Sequence, residues 1–221
     1  MNGKQIRVGI LDDHQGIIDG YLYRLSQAED IDVAATTQNG EELEAAVEAH
    51  HIDVLILDVA APTSADNPNP YPILFMIARL LDQYPTMNVL VISMHMERIL
   101  VKKVVEAGAS GYILKDDRAA IVDLPSIIRA VNEGGVYFSK QVADMLLKPG
   151  TGEGDQVLSP RQTEALSLCA AHPEYTSEQI ARQMKVANST VRNLLSGVYL
   201  KMGVPNRAAA IARARQMGLI V

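Results

Sequence analysis

Three acidic residues, a lysine and a serine stand where they could do phosphoryl chemistry together. Asp12 and Asp13 follow the strand-like run Ile6–Leu11, and Asp58 follows Asp53–Leu57. Ser93 closes a third such run from Asn88, and Lys115 comes directly after a fourth, Gly111–Leu114. Three carboxylates brought together repel one another, and a hard divalent cation such as Mg²⁺ relieves that repulsion through oxygen ligands. A lysine ammonium and a serine hydroxyl then supply positive charge and a donor for phosphoryl oxygens, with Asp58 as their carrier. Any one of these residues alone is an ordinary loop or capping residue. Five of them at the ends of four strands form a site.

A second group belongs to different chemistry. Between Thr176 and Gly203 the pattern is a short helix, a turn at Val186-Ala187-Asn188 and a longer helix, which Ser189 and Thr190 are expected to open. Val191, Leu194, Leu195 and Val198 give that helix an inward face, leaving Ser189, Arg192, Asn193 and Ser196 as an exposed one suited to a DNA major groove. Ser189, Thr190, Lys201 and Arg207 are placed for phosphates, which fix position rather than sequence. Charge agrees. From Leu158 onward eight cations face three anions, a net of +5, whereas residues 1–157 hold twelve cations and twenty-three anions, a net of −11. A basic unit on an acidic partner suits a polyanion bound at one end only.

The elements that must position the first group alternate. Strand candidates are Ile6–Leu11, Asp32–Thr36, Asp53–Leu57, Asn88–Ser93 and Gly111–Leu114, with helical patterns between them near 14–27, 40–50, 72–84, 96–107 and 119–133. Val54–Leu57 and Val89–Ile92 are apolar on both faces, as central parallel strands are. Five strand-then-helix units predict a five-stranded, doubly wound parallel sheet of the flavodoxin-like kind, with its site at the carboxyl ends of the strands. A helix near Lys140–Leu147 and a Gly- and Pro-rich linker follow, then four helices near 160–171, 177–184, 188–202 and 206–217. Ser159-Pro160 and Thr176 read as helix starts and Gly203 as a helix end. The division expected is therefore 1–138, a helix and flexible linker over 139–157, and an all-α unit over 158–221. No apolar run is long enough to cross a bilayer, and Met1–Gln5 do not read as a signal peptide. The single cysteine, Cys169, precludes an internal disulfide and reads as a small buried residue, so a cytoplasmic setting is expected.

Leu11-Asp12-Asp13-His14, Asp53–Val59, Ser93-Met94-His95 and Gly111–Asp116 resemble the receiver domain of two-component response regulators over about residues 5–135. Leu158–Leu166, Glu178–Ala181, Ser189–Asn193 and Lys201–Val204 resemble the LuxR-type helix-turn-helix of the NarL/FixJ family over about 157–220. The resemblance implies that Asp58 accepts a phosphoryl group from a sensor histidine kinase with Mg²⁺ as cofactor. Asp13, Asp58 and the backbone carbonyl of Ala60 would bind the metal directly, and Asp12 through water. Ser93 and Lys115 would contact the phosphoryl oxygens, and Tyr112 would be the aromatic switch; read from the sequence alone, Tyr112 is a half-buried strand aromatic. Phosphorylation would promote a homodimer, paired through the last helix, on palindromic double-stranded DNA.

Some stretches depart from that family pattern. After Asp58 the usual short turn is replaced by Ala61-Pro62 and then Thr63–Pro72, an insertion whose prolines make it stiff and non-helical. It either covers the pocket in part or is a tolerated surface insertion. Pro125 within Asp117–Ser126 predicts a broken or delayed fifth helix. Leu194 stands where a backbone-contacting histidine is common, and Gln162 where a glutamate is.

Two other functions compete. A Mg²⁺-dependent phosphohydrolase with Asp58 as nucleophile needs a second acid/base carboxylate close by, which Asp58-Val59-Ala60 does not offer. A phosphorylation-independent DNA-binding regulator would carry a modified receiver, against which the complete acceptor set argues. A dinucleotide enzyme would need a glycine-rich loop after the first strand, and none is present.

Overall fold

The computed structural model describes residues 5–147 and 158–220. Most of the expected linker, 148–157, lies outside the described residues. Eight strands and eleven helices are found among the described residues. The first unit runs β1 (Ile6–Leu11), α1 (Gln15–Leu25), β2 (Ile31–Thr37), α2 (Gly40–Ala49) and β3 (Val54–Leu57), then a hairpin of β4 (Pro62–Ser64) and β5 (Asn67–Pro70). It continues with α3 (Ile73–Gln83), β6 (Asn88–Ser93), α4 (Arg98–Glu106), β7 (Gly111–Leu114), α5 (Arg118–Val122), α6 (Leu124–Asn132), β8 (Tyr137–Phe138) and α7 (Lys140–Leu147). The second unit is α8 (Pro160–Ala171), α9 (Ser177–Met184), α10 (Asn188–Met202) and α11 (Arg207–Gln216).

The main sheet has the order β2-β1-β3-β6-β7-β8, every pair parallel. The five expected strands are all present, and the two-residue β8 adds a sixth at the edge beside β7. Side chains alternate across the sheet into two cores. Leu55, Leu57, Val89, Val91 and Tyr112 pack with α2, α3 and α4 on one face. Val8, Ile10, Ile56, Leu90, Ile92 and Ile113 pack with α1 and α6 on the other. The second unit has its own core around Leu166, Cys169, Ile180, Val191 and Val198. Cys169 is fully buried there, and burial pushes its thiol up from the ordinary value.

Local chemistry sets the helix ends. The side chain of Ser159 accepts from Gln162 N and that of Thr176 from Gln179 N, each completed by the glutamine reaching back to the cap amide. Gln162, unusual in its position, thus closes a capping box. Ser189 and Thr190 do not open α10, contrary to expectation: Asn188 is already helical, and Ala187 stands at the cap without a side-chain bond. Two residues before that cap, Lys185 ends α9 in the left-handed conformation at φ 53° and makes the turn. The predicted break in the fifth helix is real. Helices α5 and α6 meet at Asp123, with Pro125 in the first turn of α6, where its missing N–H costs nothing.

The proline-rich insertion is a small antiparallel hairpin, with Pro62 paired to Pro70 and Tyr71 N donating to Ala61 O at 2.9 Å. It leans on α2. The ring of Tyr71 lies so close to Gly40 that a Cβ there would fall 2.0 Å from it, so only glycine fits. The Tyr71 hydroxyl donates to Glu44 at 2.7 Å, and Arg79 of α3 pairs with the same carboxylate. Burial first, and Glu44 second, raise the Tyr71 phenol above its usual range.

Candidate functional site

Register brings the separated acidic residues to one edge. Leu11 pairs with Leu57, so Asp12 and Asp58 leave neighbouring strands at the same level. Leu57 pairs with Val91 and Ser93 with Leu114, which puts Ser93 and Lys115 beside them. The Lys115 ammonium lies between Asp12 Oδ2 and Asp58 Oδ2, at 2.7 Å from each. Asp12 is 1% exposed and Asp58 5% exposed. The remaining oxygens are held by turns at the strand ends. Asp12 Oδ1 accepts from His14 N at 3.0 Å, and Asp58 Oδ1 from Ala60 N at 3.2 Å. Burial alone would push the Lys115 ammonium down, but hydrogen bonds and charge from Asp12 and Asp58 outweigh it and hold it above its ordinary value.

Asp13 stands at the mouth, exposed, with Oδ1 2.8 Å from His14 Nδ1. Asp12, Asp13 and His14 could each offer one atom to a single metal ion. Three carboxylates against one ammonium leave a net charge of −2 at the site, which fits a divalent cation held by oxygen. Ser93 is fully buried, and its Oγ accepts from His95 N at 3.2 Å. Tyr112 is not the half-buried aromatic read from the sequence: it is wholly buried, turned inward, and its hydroxyl donates to His95 O at 2.6 Å. Burial above all pushes its phenol up to about 12. Ser93 and Tyr112 therefore both grip the loop between β6 and α4.

The second expected site is placed differently from its reading in the sequence. The polar face of α10 is not open to solvent; it is packed on the first unit. Arg192 donates to Asn88 Oδ1 at 3.1 Å and to Pro85 O at 2.6 Å. Asn188, which sequence reasoning passed over, donates to Leu81 O and Pro85 O, both at 3.4 Å. Ser189 lies against Gly108, whose ideal Cβ would come within 3.2 Å of its Cα. Ser196 is only 2% exposed, and Asn193 is half-buried. Thr190 remains exposed; Lys201 is half-buried, as is Arg207, which donates to Tyr175 O at 2.6 Å. The expected exposure of Ser189, Arg192 and Ser196 is thus corrected, because Asn188 and Arg192 find acceptors at the end of α3, on the loop after it and at the start of β6, and hold that face against the first unit.

The burial of Arg192 has an unusual electrostatic cost. Its acceptors are a neutral amide and a peptide carbonyl, and its Nε has no partner, as is true of Asn188 Oδ1. Desolvation lowers the guanidinium to about 10, which still leaves it charged at neutral pH. The anchor lies at the opposite end of the sheet from Asp58. Asn88 begins β6 and Ser93 ends it, about 17 Å apart by strand geometry.

Residues 8–124 match the response regulator receiver domain, and residues 156–214 match the bacterial regulatory proteins of the luxR family. Among similar proteins, the transcriptional regulatory protein DegU of Brevibacillus brevis is 27% identical over 241 residues, covering 100% of this chain and 97% of its own length. MctR of Rhizobium johnstonii, another transcriptional regulatory protein, is 28% identical, covering 98% and 96%. The fold is similar to that of the RcsB response regulator of Salmonella typhimurium, at a TM-score of 0.58 and 23% identity over 97% of this chain and 100% of that one. RcsB has also been solved as dimers bound to DNA, with a TM-score of 0.57 and 23% identity over 96% and 98%.

Proposed function

Because the chain belongs to the bacterial response regulators, with a receiver followed by a LuxR-type helix-turn-helix, we propose that phosphorylation of Asp58 frees the docked helix α10 to bind DNA. The observation that carries this reading is the buried Asp12–Lys115–Asp58 bridge at one end of β6 and the Arg192 anchor at the other. Asp58 attacks the phosphorus of a phosphohistidine on a sensor histidine kinase. A phosphorus–oxygen bond forms as the phosphorus–nitrogen bond to the imidazole breaks. Asp13, Asp58 and the Ala60 carbonyl would hold Mg²⁺ directly and Asp12 through water, and the ion would supply positive charge for the phosphoryl oxygens.

The chain's own groups do the rest. Acylphosphate formation puts Asp58 in a covalent bond and new negative charge beside it, so Lys115 exchanges a carboxylate oxygen for a phosphoryl one. The Ser93 hydroxyl donates to another phosphoryl oxygen, which draws on the loop that Tyr112 holds through His95. A shift of that loop passes along β6 and α4 to the surface under α10. The chemistry ends at formation and hydrolysis of the aspartyl phosphate, and the rest of the function is binding. The freed units would pair on a two-fold site, with α10 in the major groove, in keeping with RcsB having been solved as dimers bound to DNA. Footprinting tests this: phosphorylated protein should protect a palindrome that the unphosphorylated protein leaves open. Equal affinity in the two states would refute the proposal.

The hairpin β4–β5 is not needed for this switch. Its contacts run to α2 and, through Tyr71 and Glu44, toward Arg79. Deleting 63–69 joins residues already paired across its base, so the lifetime of the aspartyl phosphate should stay as in the parent chain. A several-fold change in the decay, followed by mass spectrometry, would make the hairpin a cover for the pocket instead.

A further inference from the structure

A cavity of about 670 Å³ lies between the two units, beside the anchor of α10. Its wall from the second unit is rich in groups that bind anions. Thr176 and Ser177 begin α9, and Asn206 and Arg207 begin α11, so two helix N-termini open onto one space. The caps already take the amides of Gln179 and Ala209, which leaves the first-turn amides of Ser177, Glu178, Arg207 and Ala208 for a ligand. Two guanidinium groups, Arg192 and Arg207, line the same space. Neither pairs with a carboxylate among the described residues. Ser196 lines it too; its side chain is 2% exposed and makes no hydrogen bond among the described residues. The acidic residues at the wall do not cancel this charge: Glu178 is engaged by Arg182 on its own helix, and Glu133 sits exposed at the rim.

The helix N-termini and the two guanidinium groups each select negative charge, and the serine hydroxyl adds a donor beside them. A DNA duplex cannot enter a space of this size that the receiver closes on one side. From this we infer that the interdomain cavity is a binding site for a small phosphate-bearing anion, held by Arg192, Arg207, Ser196 and the two helix N-termini. The opposite wall comes from the receiver and brings Thr86, Ser110 and Asn132 to the same space, so an anion that contacts both walls favours the docked arrangement and opposes DNA binding. It uses Arg207, which the open chain would turn to DNA phosphates, so small anion and DNA compete. The inference rests on the docked arrangement but not on phosphoryl transfer at Asp58.

The test uses the full chain carrying Asp58→Asn, in EDTA, so that the carboxylate cluster takes no part. Inorganic phosphate is titrated by calorimetry at constant ionic strength. One saturable site per chain is expected, and Arg207→Gln should weaken it at least ~10-fold by removing a charge-assisted donor. Ser189→Trp, too large to fit against Gly108, should lose the site while circular dichroism reports unchanged helix content. Gly108→Asn repeats that test from the receiver side should Ser189→Trp fail to fold. No saturable binding overturns the inference. So does full-strength binding in the opened variants, which would assign phosphate to the helix-turn-helix alone.

Discussion

Asp58→Asn will take up no phosphoryl group from acetyl phosphate and Mg²⁺, whereas the parent chain will form a one-to-one adduct. The amide matches the carboxylate in size but has no nucleophilic oxygen, and loss of a nucleophile costs at least ~10³-fold in rate. The fold should survive. Asp58 sits in a turn whose backbone is fixed by Asp58 N donating to Leu11 O at 2.9 Å, and Lys115 keeps its bond to Asp12. Chelating the metal should give nearly the same loss with the parent chain, because three carboxylates against one ammonium repel an incoming anion. Intact-mass spectrometry decides it. An adduct that persists in Asp58→Asn would move the acceptor elsewhere and sink the proposed chemistry.

Gly108→Asn will raise the DNA affinity of the unphosphorylated chain by ~10-fold or more, about 1.4 kcal/mol. Gly108 has φ +101°, and a Cβ there would meet Leu81 at 3.0 Å and Ser189 at 3.2 Å. Asparagine tolerates positive φ better than most residues, which limits the damage to the receiver. The side chain then wedges α10 away. The interface is poised to yield, since Arg192 gives up hydration for two neutral acceptors and leaves its Nε unpaired. A buried cation without a counter-charge is a weak lock, and a reversible switch needs a gap of only a few kcal/mol between its states. Small-angle scattering should show a larger radius of gyration, and anisotropy with labelled DNA should show the gain in affinity. An open chain that binds DNA no better would mean that α10 is not the element held back.

The strand ends and the helix ends were legible in the sequence because both depend on short-range chemistry. Apolar runs such as Val54–Leu57 and Val89–Ile92 can lie only at the centre of a parallel sheet, and the next residues must then share one edge. Ser159, Thr176 and Gly203 mark helix boundaries through bonds made within a few residues. Helix α10 begins where the pattern over 188–202 placed it, but its cap was misread for the same reason turned around: Ser189 and Thr190 are good caps, yet Ala187 and the left-handed Lys185 take the turn first. The insertion after Asp58 shows its stiffness in its prolines. Its docking on Gly40 through Tyr71 depends on a partner from a distant helix, which no local pattern encodes.

The carboxylate cluster around Asp58 is the part that the sequence determined by itself. Alternation of strands and helices forces Asp12, Asp58, Ser93 and Lys115 to converge, whatever the loops do. What only the tertiary structure decided is the state of the DNA-binding helix. A face of Asn188, Ser189, Arg192 and Ser196 is equally compatible with water, with DNA or with peptide carbonyls, since each satisfies the same donors. The sequence lists those donors; the fold chooses Pro85, Leu81 and Asn88 as the acceptors of Asn188 and Arg192. That choice involves residues more than a hundred positions apart, and it turns an exposed reading head into a covered one.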